Sequence, residues 1–550
     1  MKQLRAIIVI FLLSAFLRPL YPLSFSDPET PEKLAAVIEG AMTDEQALAQ
    51  TFMLGWVGSE PSPLIMDWIR SRNIGGVKIF GWNTADTLLL AKTVGTLQEA
   101  SLGGPFNIPL LIATDQEGGL IRHVKGSTSE TPGNMAIGAS GYPRDAYLAG
   151  FYIGRELALL GINMNFAPTV DLYTNRDSEL IGTRAFSSDP VKAGIMGSAF
   201  MKGQKDAGVI PTAKHYPGHG DTDLDSHGVL PQINITFDTL WDRELIPYRM
   251  LAAEGLPAVM SGHLAFPLTD GSSAPASLSP WFLKDVLRNK IGFRGIVVTD
   301  DLLMNGATFW AGSVSQAVKQ ALLAGNDIVM LSKTPFLYDP VWTVLTSAMK
   351  EDENFRLSVR SAARRILELK LRYLRTEPKV PYIPDLNKVE TDLPDPQGAS
   401  FFLNLAARSV TVVKPTRAES LFPLTEKTAG LVLLAGQYGH FFRAGIAAFP
   451  NASVYSYNDS RPPAGILPYA RGADTIIFCL SNTADLRVLR ALEPLGKKVI
   501  VLSVLSPALL ESAPWVSGSV AVYSYAPESF AAGFSAMIGR IPAEGTLPYE

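Results

Sequence analysis

Residues 209–227 read VIPTAKHYPGHGDTDLDSH, a short apolar run followed by a loop crowded with titratable side chains. The run Val209–Ala213 predicts a buried strand. The loop holds three of the protein's six histidines and three aspartates, and Pro217, Gly218 and Gly220 exclude a regular element there. A strand that ends in such a loop is typical of the active sites of α/β enzymes.

The same succession of an apolar run and a helical stretch recurs along the chain. The candidate strands are Phe52–Val57, Gly76–Phe80, Pro109–Thr114, Asn163–Pro168, Val209–Lys214, Ala258–His263, Gly295–Asp300 and Asp327–Ser332. Strands that alternate with helices predict an α/β fold with a parallel sheet. The alternatives are an open doubly wound sheet and a (β/α)₈ TIM-type barrel. We expect the barrel, over residues 31–375, because the candidate strands number eight, as such a barrel requires.

Polar clusters stand at the ends of five of these runs. They are Asp115-Gln116-Glu117, Asp171, Lys214-His215, His263 and Asp300-Asp301. In a barrel the carboxyl ends of the strands meet at one mouth, so residues far apart in the sequence become neighbours.

A second, smaller domain is expected over residues 398–550. A proline-rich linker, residues 376–397, separates it from the barrel. Its candidate strands are Ser409–Val413, Gly430–Leu434, Thr475–Leu480, Lys498–Leu502 and Ser519–Tyr523. Runs this continuously apolar are what a parallel sheet buried on both faces requires.

Composition limits the partners and the location of the protein. The net charge of −4 and the absence of a basic stripe argue against a nucleic-acid partner. Lys2 and Arg5 precede a 12-residue apolar run, and small polar residues follow up to Ser26. Residues 1–26 therefore resemble a secretory signal, with an uncleaved membrane anchor as the alternative. We expect an exported protein, periplasmic or extracellular, without disulfides because Cys479 is the only cysteine.

Two carboxylates follow the apolar run Gly295–Thr299. At the end of a strand, Asp300 could act as a nucleophile toward an anomeric carbon and form a glycosyl ester. For Asp301 we expect a structural role instead, as a cap of the helix that follows.

Asp225 and His227 are spaced to project to the same side of an extended loop. A carboxylate beside an imidazole fixes its tautomer and favours its protonated form, as a general acid/base requires. A metal site is the rival hypothesis, because His215, His219 and His227 lie near carboxylates. The spacing matches no zinc signature, and Lys214 adjoins the first histidine. We therefore predict no metal, and a structural role for His219.

Other polar residues of the predicted mouth could bind hydroxyl groups of a sugar. Asp115 would accept hydrogen bonds, and Lys214, His215 and Arg184 would donate them. Trp56, Trp82 and Trp310 could offer a face on which a sugar stacks, although any one tryptophan is more often buried in the core. The loop 215–228 is expected to be flexible and to close on substrate, because of its length and its glycines.

Four segments, in this order, resemble glycoside hydrolase family 3, and within it the two-domain bacterial β-N-acetylglucosaminidases. They are PLLIATDQEGG, LIGTRAFSSDP, AKHYPGHGDTDLDSHGVLP and FRGIVVTDDLLMNGA, and the resemblance spans about residues 40–550. The segment from Lys214 to His227 is the most specific, because it is similar to the hexosaminidase branch. The resemblance implies an αβα sandwich for the second domain.

This resemblance also implies a role for individual residues. Asp300 becomes the nucleophile, His227 the acid/base and Asp225 its partner. The implied contacts to the sugar are Asp115, Arg184, Lys214 and His215. The implied reaction is retaining hydrolysis of terminal β-linked N-acetylglucosamine in peptidoglycan fragments or chito-oligosaccharides, without metal or organic cofactor.

The segment EGGLIRHVKG departs from the family pattern, in which two arginines follow EGG. Leu120 stands at the first arginine position and His123 at the second, with Arg122 one residue early. Arg122 and His123 are both candidates for the missing sugar contact. Alternative functions on the same fold are a β-glucosidase, a β-glycoside phosphorylase and an inactive sugar-binding protein.

Overall fold

Eight parallel strands close into a barrel in a computed structural model that describes residues 23–222, 228–413, 421–457 and 463–549. The strands are β1 (Phe52–Leu54), β2 (Gly76–Lys78), β3 (Leu111–Thr114), β4 (Met164–Asn165), β5 (Ile210–Tyr216), β6 (Ala258–Ser261), β7 (Ile296–Asp301) and β8 (Ile328–Leu331). Each strand pairs with the next in the chain, and β8 closes on β1. The predicted barrel and all eight predicted strands are confirmed; an open sheet is excluded.

Helices connect the successive strands. Several begin at a side chain that accepts hydrogen bonds from the first turn, as Asp86 and Asp189 do. The α-helices are Pro31–Ala41, Asp44–Gln50, Pro63–Arg72, Thr87–Leu102, Asn134–Ser140, Pro143–Leu159, Pro190–Asp206, Phe237–Thr239, Leu245–Ala253, Pro267–Asp270, Asn305–Ala311, Val314–Ala324, Pro340–Glu351 and Glu353–Tyr373. Wider π-type turns form Leu240–Glu244 and Trp281–Lys290, and 3₁₀ turns form Gly81–Asn83, Gly182–Arg184 and Ala276–Leu278.

Alternate residues of each strand face the inside and the outside of the barrel. Ala258 and Met260 of β6 belong to an interior cluster with Met53 and Phe166, whereas Val259 packs in an outer cluster with helical residues. Burying each side chain of this size contributes about 1.5–3 kcal/mol, so the interior is a packed core that leaves chemistry to the strand ends.

A second sheet of six strands follows. They are β9 (Thr411–Val413), β10 (Val432–Gly436), β11 (Ser453–Ser456), β12 (Thr475–Leu480), β13 (Lys498–Ser503) and β14 (Gly518–Ala521). Their order is β9-β14-β13-β12-β10-β11, and β9 alone among them runs antiparallel to its neighbour. All five predicted strands are present, and the mostly exposed β11 is an addition.

Apolar side chains cover both faces of this sheet. Leu433 and Ala435 pack in one cluster, and Val432 and Leu434 pack in another. The helices are Pro396–Ser409, Glu426–Ala429, Gly439–Ala448, Leu467–Arg471, Asp485–Arg490 and Pro527–Met537, with 3₁₀ turns at Pro463–Ile466, Glu493–Leu495 and Pro507–Ser512. The architecture is the expected smaller αβα domain.

The proline-rich segment between the two sheets is more ordered than its composition suggests. It contains the helix Leu386–Asp392, and Pro396 already begins the next helix. Val380, Val389 and Leu393 are buried in the barrel's largest apolar cluster. The segment therefore packs along the barrel as well as connecting the two domains.

The N-terminal targeting segment predicted over residues 1–26 lies almost wholly outside the described residues, and it stays a prediction. In the described ranges, no helix has both the length and the apolar character needed to cross a membrane.

Candidate active site

Charged residues converge at the carboxyl ends of the barrel strands. Lys78 ends β2, Asp115 follows β3, Lys214 and His215 lie on β5, and Asp300 lies at the end of β7. The barrel closure brings these residues, which are up to 222 positions apart in the sequence, to one mouth. The predicted convergence of polar strand ends is thereby observed for the residues described.

Asp115 lies between two lysines. Its carboxylate contacts Lys214 Nζ and lies 2.7 Å from Lys78 Nζ. Burial by itself would raise the pKa of Asp115, but Lys214 and Lys78 together hold it well below its usual value. Burial lowers the pKa of Lys78, and the carboxylates of Asp115 and Glu117 raise that of Lys214 despite its burial. Asp115 is therefore an ionised acceptor at neutral pH.

A second carboxylate, Glu117, joins Lys214 to Arg184. Arg184 donates from Nε and Nη2 to the two oxygens of Glu117, at 2.9 and 2.8 Å, and Lys214 Nζ lies 2.6 Å from Oε1. Burial would raise the pKa of Glu117, but Arg184 and Lys214 lower it to about 2. This two-pronged contact fixes the plane of the guanidinium group.

His215 is oriented by a buried aspartate. Its Nδ1 lies 2.7 Å from Asp171 Oδ2, and Nε2 lies 3.4 Å from Arg184 Nη2. Asp171 also accepts the backbone N–H of His219 at 2.7 Å. The His219 ring packs edge-on against His215, and burial is the main cause that lowers its pKa to about 4. These contacts agree with the structural role predicted for His219.

Asp300 is the penultimate residue of β7 and faces the same mouth. Its Oδ1 accepts the backbone N–H of Asp301 at 2.8 Å. Burial would raise the pKa of Asp300, but His263, His215 and that N–H lower it below its usual value. Asp301 turns away, and its Oδ1 accepts from Leu303 and Ser332. The prediction that Asp301 caps the following helix is wrong, because the helix Asn305–Ala311 begins after Met304 without a side-chain cap and the Asp301 carboxylate instead braces the turn and the end of β8.

Arg122 and His123, the two candidates for the missing arginine, point in different directions. Arg122 donates from Nη1 to Thr128 O at 2.9 Å and from Nη2 to Glu130 Oε1 at 3.1 Å. His123 Nδ1 lies 3.1 Å from Lys78 Nζ and 3.6 Å from Asp115 Oδ2. Only His123 is brought to the charged cluster, so the geometry favours it over Arg122 as a sugar contact. Burial and Lys78 lower its pKa to about 4, which leaves the ring neutral at pH 7.

A short hairpin causes this divergence. Its strands are Gln116–Gly118 and Ile121–Arg122, and Gly118 and Gly119, where the chain turns, have φ values of +92° and +60°. These φ values suit glycine, and a Cβ at Gly118 would lie 2.4 Å from Thr131 Oγ1. The turn folds His123 back onto Asp115, whose carbonyl accepts its N–H at 3.0 Å.

The loop after β5 rests on a buried acid. Gly218 lies against Glu244, and a Cβ there would come within 2.9 Å of Glu244 Cβ. Arg243 donates to Glu244 Oε1 at 2.7 Å and to Asp221 Oδ2 at 2.8 Å. Burial raises the pKa of Glu244 to about 7. Asp225 and His227 themselves, and the expected closure of the loop, lie outside the described residues and stay predictions.

Sequence reasoning missed three members of this site. Lys78, Glu117 and Asp171 were not among the candidate site residues, although the last two belong to the polar clusters at strand ends. The signal for Lys78 is a lone charge inside the apolar run IGGVKIF. A buried lysine needs a partner, and Asp115 supplies it.

Of the three tryptophans considered for stacking, Trp56 is buried, whereas Trp82 and Trp310 are about half exposed, at 50% and 48%. Within the described ranges, no three or more His, Cys, Asp or Glu side chains are grouped so that they could hold a metal ion.

Comparison with known proteins identifies the family. The profile of the glycosyl hydrolase family 3 N-terminal domain matches residues 45–369. The chain belongs to glycosyl hydrolase family 3. This match covers the strands β1 to β8 and most of Glu353–Tyr373, the last helix of the barrel domain.

Two relatives with named activities are similar to this chain. A beta-hexosaminidase from Tolumonas auensis is 37% identical over 282 residues, which are 50% of this chain and 81% of that protein. Beta-hexosaminidase A from Pseudoalteromonas piscicida is 35% identical over 286 residues, 49% of this chain, and the match spans 47% of its length. Both matches cover about half of the present chain.

Solved structures share the two-domain fold. A glycoside hydrolase family 3 beta-N-acetylglucosaminidase from Paenibacillus superposes with a TM-score of 0.83 and 28% identity, over 92% of this chain and 99% of that one. A beta-glucoside phosphorylase superposes with a TM-score of 0.79 at 20% identity, over 94% and 96% of the two chains, which shows the fold alone.

Proposed function

We propose that this family 3 protein is a retaining exo-β-N-acetylglucosaminidase that works through a covalent glycosyl ester on Asp300. The observation that carries the proposal is the position of Asp300 at the end of β7, in the same mouth as the Asp115–Lys214–Glu117–Arg184 cluster. A nucleophilic carboxylate and a set of hydroxyl-binding groups then face one sugar ring.

The charged cluster would bind the ring in the site. Asp115 accepts hydrogen bonds from hydroxyl groups, and Lys214, His215 and Arg184 donate to hydroxyl or amide oxygens. Because the groups are buried and held by one another, they lose little conformational freedom when the sugar arrives. A substrate that lacks a hydroxyl would leave one of them unpaired, and this gives specificity.

The reaction would take two balanced steps. The Asp300 carboxylate attacks C1, the bond from C1 to the leaving oxygen breaks, and His227 gives its proton to that oxygen. Water then attacks C1, His227 takes the proton of the water, and the ester bond to Asp300 breaks. The lowered pKa of Asp300 keeps it ionised for the first step. Asp225 would hold the imidazole of His227 in its protonated form before that step.

Similarity to known enzymes favours N-acetylglucosamine as the sugar. Bacterial relatives that match at 32–37% identity are named beta-hexosaminidase, and the segment Lys214–His227 carries the Asp-x-His spacing of the proposed acid/base. We place the enzyme outside the cytoplasm, on peptidoglycan fragments or chito-oligosaccharides, because of the segment 1–26. N-terminal sequencing of the protein from its host tests the location, and a chain that starts at Met1 in the soluble cytoplasm would contradict it.

Hydrolysis of nitrophenyl glycosides tests the activity. We expect the β-N-acetylglucosaminide to be cleaved with a kcat/KM at least about 100-fold above that of the β-glucoside, because a site that pairs with the acetamido group is left unpaired without it. Phosphate should not accelerate turnover, since water is the second nucleophile. Phosphorolysis or a preference for the glucoside would contradict the proposal.

The nucleophile has its own test. Asp300→Asn should lower kcat by about 10⁴-fold or more, because an amide cannot form the ester. Intact-mass spectrometry with a slow fluorinated N-acetylglucosamine donor should show a glycosyl adduct on the wild type and none on the variant. Asp67→Asn, at an exposed position on the helix Pro63–Arg72, is the matched control and should keep the adduct. An adduct on Asp300→Asn would refute the assignment.

A further inference from the structure

A lysine lies inside the barrel at the level of the mouth. At the end of β2, Val77 and Ile79 pack in the outer apolar cluster, so Lys78 between them faces the interior. Its side chain is buried, and Nζ lies 4.2 Å from the ring centroid of Phe80 and 5.6 Å from that of Phe166. An ammonium group in such a position is costly unless neighbouring groups compensate its charge. The partners of Nζ therefore indicate its role.

Three acceptors surround the ammonium group of Lys78. Its Nζ lies 2.7 Å from Asp115 Oδ2, 2.9 Å from the carbonyl oxygen of Ile79 and 3.1 Å from His123 Nδ1. A lysine ammonium group has three N–H donors and no acceptor. Each proton then has one acceptor, and Nδ1 of His123 accepts with its lone pair.

The lone pair at Nδ1 decides where the proton of the His123 ring is. A neutral imidazole carries one proton, so that proton is on Nε2. Among the described residues, Nε2 has no hydrogen-bond partner. The side chain is 29% exposed and lies beside Asp115 at the barrel mouth. The ring therefore presents one N–H donor to a ligand.

The charged groups around His123 keep its ring neutral. Those that face it are Lys78, Lys214, Asp115 and Glu117. Burial and the two lysines lower the pKa of His123 to about 4, against the opposing effect of the two carboxylates. The ring is therefore uncharged at pH 7, and the positive charge that contacts it is that of Lys78.

This arrangement differs from the family pattern at position 123. An arginine there is always charged and carries five N–H donors on one side chain. In this chain the positive charge is on β2, and the donor is on the hairpin that follows β3. The contact between Lys78 Nζ and His123 Nδ1 joins the two.

We propose that Lys78 and His123 together replace the arginine of the family pattern. Lys78 balances the charge of Asp115 and is a positioning residue, because it holds His123 in the tautomer that donates from Nε2 to an oxygen of the bound sugar. The inference rests on the proposed function for the identity of that ligand. It makes the two positions interdependent, since a histidine at 123 needs a cation at 78, whereas an arginine at 123 needs an uncharged neighbour.

Nitrogen NMR of the wild-type protein with isotope-labelled histidine tests the tautomer directly. The signals of His123 are those that disappear in His123→Arg. We expect a bare Nδ1 and a protonated Nε2 at pH 7, and addition of N-acetylglucosamine should shift the Nε2 signal more than the Nδ1 signal. A proton on Nδ1 at pH 7, or binding of the sugar without any change at Nε2, would overturn the proposal.

Lys78→Met tests the positioning role. Methionine has a similar length without the charge, and Asp115 keeps its contact with Lys214, so the variant should fold. Without Lys78, the carboxylate of Asp115, 3.6 Å from Nδ1, should raise the pKa of His123. Lys125→Met removes an exposed lysine near His123 in the sequence and is the matched control, which should leave that pKa in place. An unchanged pKa of His123 in Lys78→Met would show that Lys78 is merely structural and overturn its proposed role.

Combining substitutions at the two positions gives the kinetic test. Lys78→Met and His123→Arg should each lower kcat/KM for the nitrophenyl N-acetylglucosaminide by about tenfold, mainly through KM. The first variant loses the ordered donor, and the second places two cations together. The double variant should recover to within about threefold of the wild type, because one cation again lies beside Asp115. Losses that add up in the double variant would overturn the proposal.

The binding experiment separates this inference from the proposed function, because it needs no turnover. A wild type that binds N-acetylglucosamine with a shift at Nε2 of His123, but hydrolyses neither nitrophenyl glycoside, would refute the proposed function and support the pair. Hydrolysis of the N-acetylglucosaminide with the same KM in Lys78→Met and Lys125→Met would refute the pair and leave the proposed function in place.

Discussion

Glu117 is the residue on which the charge balance of the mouth depends. It is buried between Arg184 and Lys214, and those two cations hold its pKa at about 2. A buried ion pair adds little net stability compared with apolar groups, but a missing partner leaves a charge buried without compensation. Loss of Glu117 is therefore expected to destabilise the protein by more than the intact ion pairs stabilise it.

Glu117→Gln should lower the free energy of unfolding at pH 7 by about 3–5 kcal/mol, because Arg184 and Lys214 lose their common carboxylate. It should also raise KM, since the guanidinium group loses the contact that orients it. Denaturant unfolding and steady-state kinetics measure the two effects. Glu130→Gln removes the exposed carboxylate that pairs with Arg122, and this control should cost less than about 1 kcal/mol. Equal effects of the two variants would contradict the assignment.

The pH dependence of this difference follows from the sign of the shift. The pKa of Glu117 is lower in the folded protein, about 2, than the usual 4.5, so its stabilising effect is complete above about pH 4.5. The effect disappears as the pH falls toward 2. The stability difference between wild type and Glu117→Gln should therefore shrink over that interval.

The helix Glu353–Tyr373 closes the amino end of the barrel and carries a buried cation at its own end. Lys370 is inaccessible to solvent and donates to Gln50 Oε1 at 3.0 Å, on the helix Asp44–Gln50. Burial lowers the pKa of Lys370 to about 7. Among the described residues no carboxylate is paired with Lys370. Its burial therefore lowers the stability of the folded protein.

Lys370→Met should raise the free energy of unfolding at pH 7 by about 1–4 kcal/mol, because an apolar side chain of similar length fills the same space. In the wild type the cost is complete below pH 7 and declines as the pH rises toward 10.5, because the unfolded chain alone still binds the proton there. Chemical unfolding at pH 6, 8 and 10 should show this rise in the wild type and a flatter profile in the variant. Lys350→Met, at an exposed position on the preceding helix, should leave the rise in place.

At the scale of the whole molecule, the second domain supports the segment that carries Arg184. Tyr173 OH lies 2.6 Å from Ser506 Oγ, Thr483 Oγ1 donates to Glu179 at 2.7 Å, and Ser187 Oγ donates to Pro548 O at 2.6 Å. Tyr549 packs edge-on against Tyr173, with ring centroids 5.2 Å apart. The second domain thus contacts both sides of the Arg184 turn, although none of the residues at the strand ends comes from it.

Tyr549→Ala should destabilise the protein by about 3 kcal/mol and lower kcat/KM, because loss of a buried aromatic ring loosens the support of residues 173–188. Thermal unfolding and kinetics with the nitrophenyl glycoside measure both effects. Tyr469→Ala removes an exposed ring of the same domain and should change neither. A stability loss in Tyr549→Ala with unchanged kcat/KM would show that the second domain stabilises the chain without positioning Arg184.

The sequence by itself determined the barrel, the second sheet and the strand-end positions of Asp115, Lys214, His215 and Asp300. These features depend on local patterns, since an apolar run and the polar residue that ends it are neighbours in the chain. The order of eight such runs then leaves few ways to close the sheet. The resemblance of the segment Lys214–His227 added the roles of Asp225 and His227, which stay predictions.

Only the tertiary structure decided which charged groups meet. From the sequence alone, Glu117 and Asp171 could have been surface charges, and Lys78 could have been a buried charge without a role. The strands β2 to β5 place all three around Asp115, Lys214 and His215. The choice between Arg122 and His123 was likewise beyond the sequence. Both are adjacent to the same motif, and the glycine turn that sends one outward and the other onto Asp115 depends on packing against Thr131 and Gly133. Partnerships between distant residues are set by how elements pack, and a local pattern contains no information about that packing.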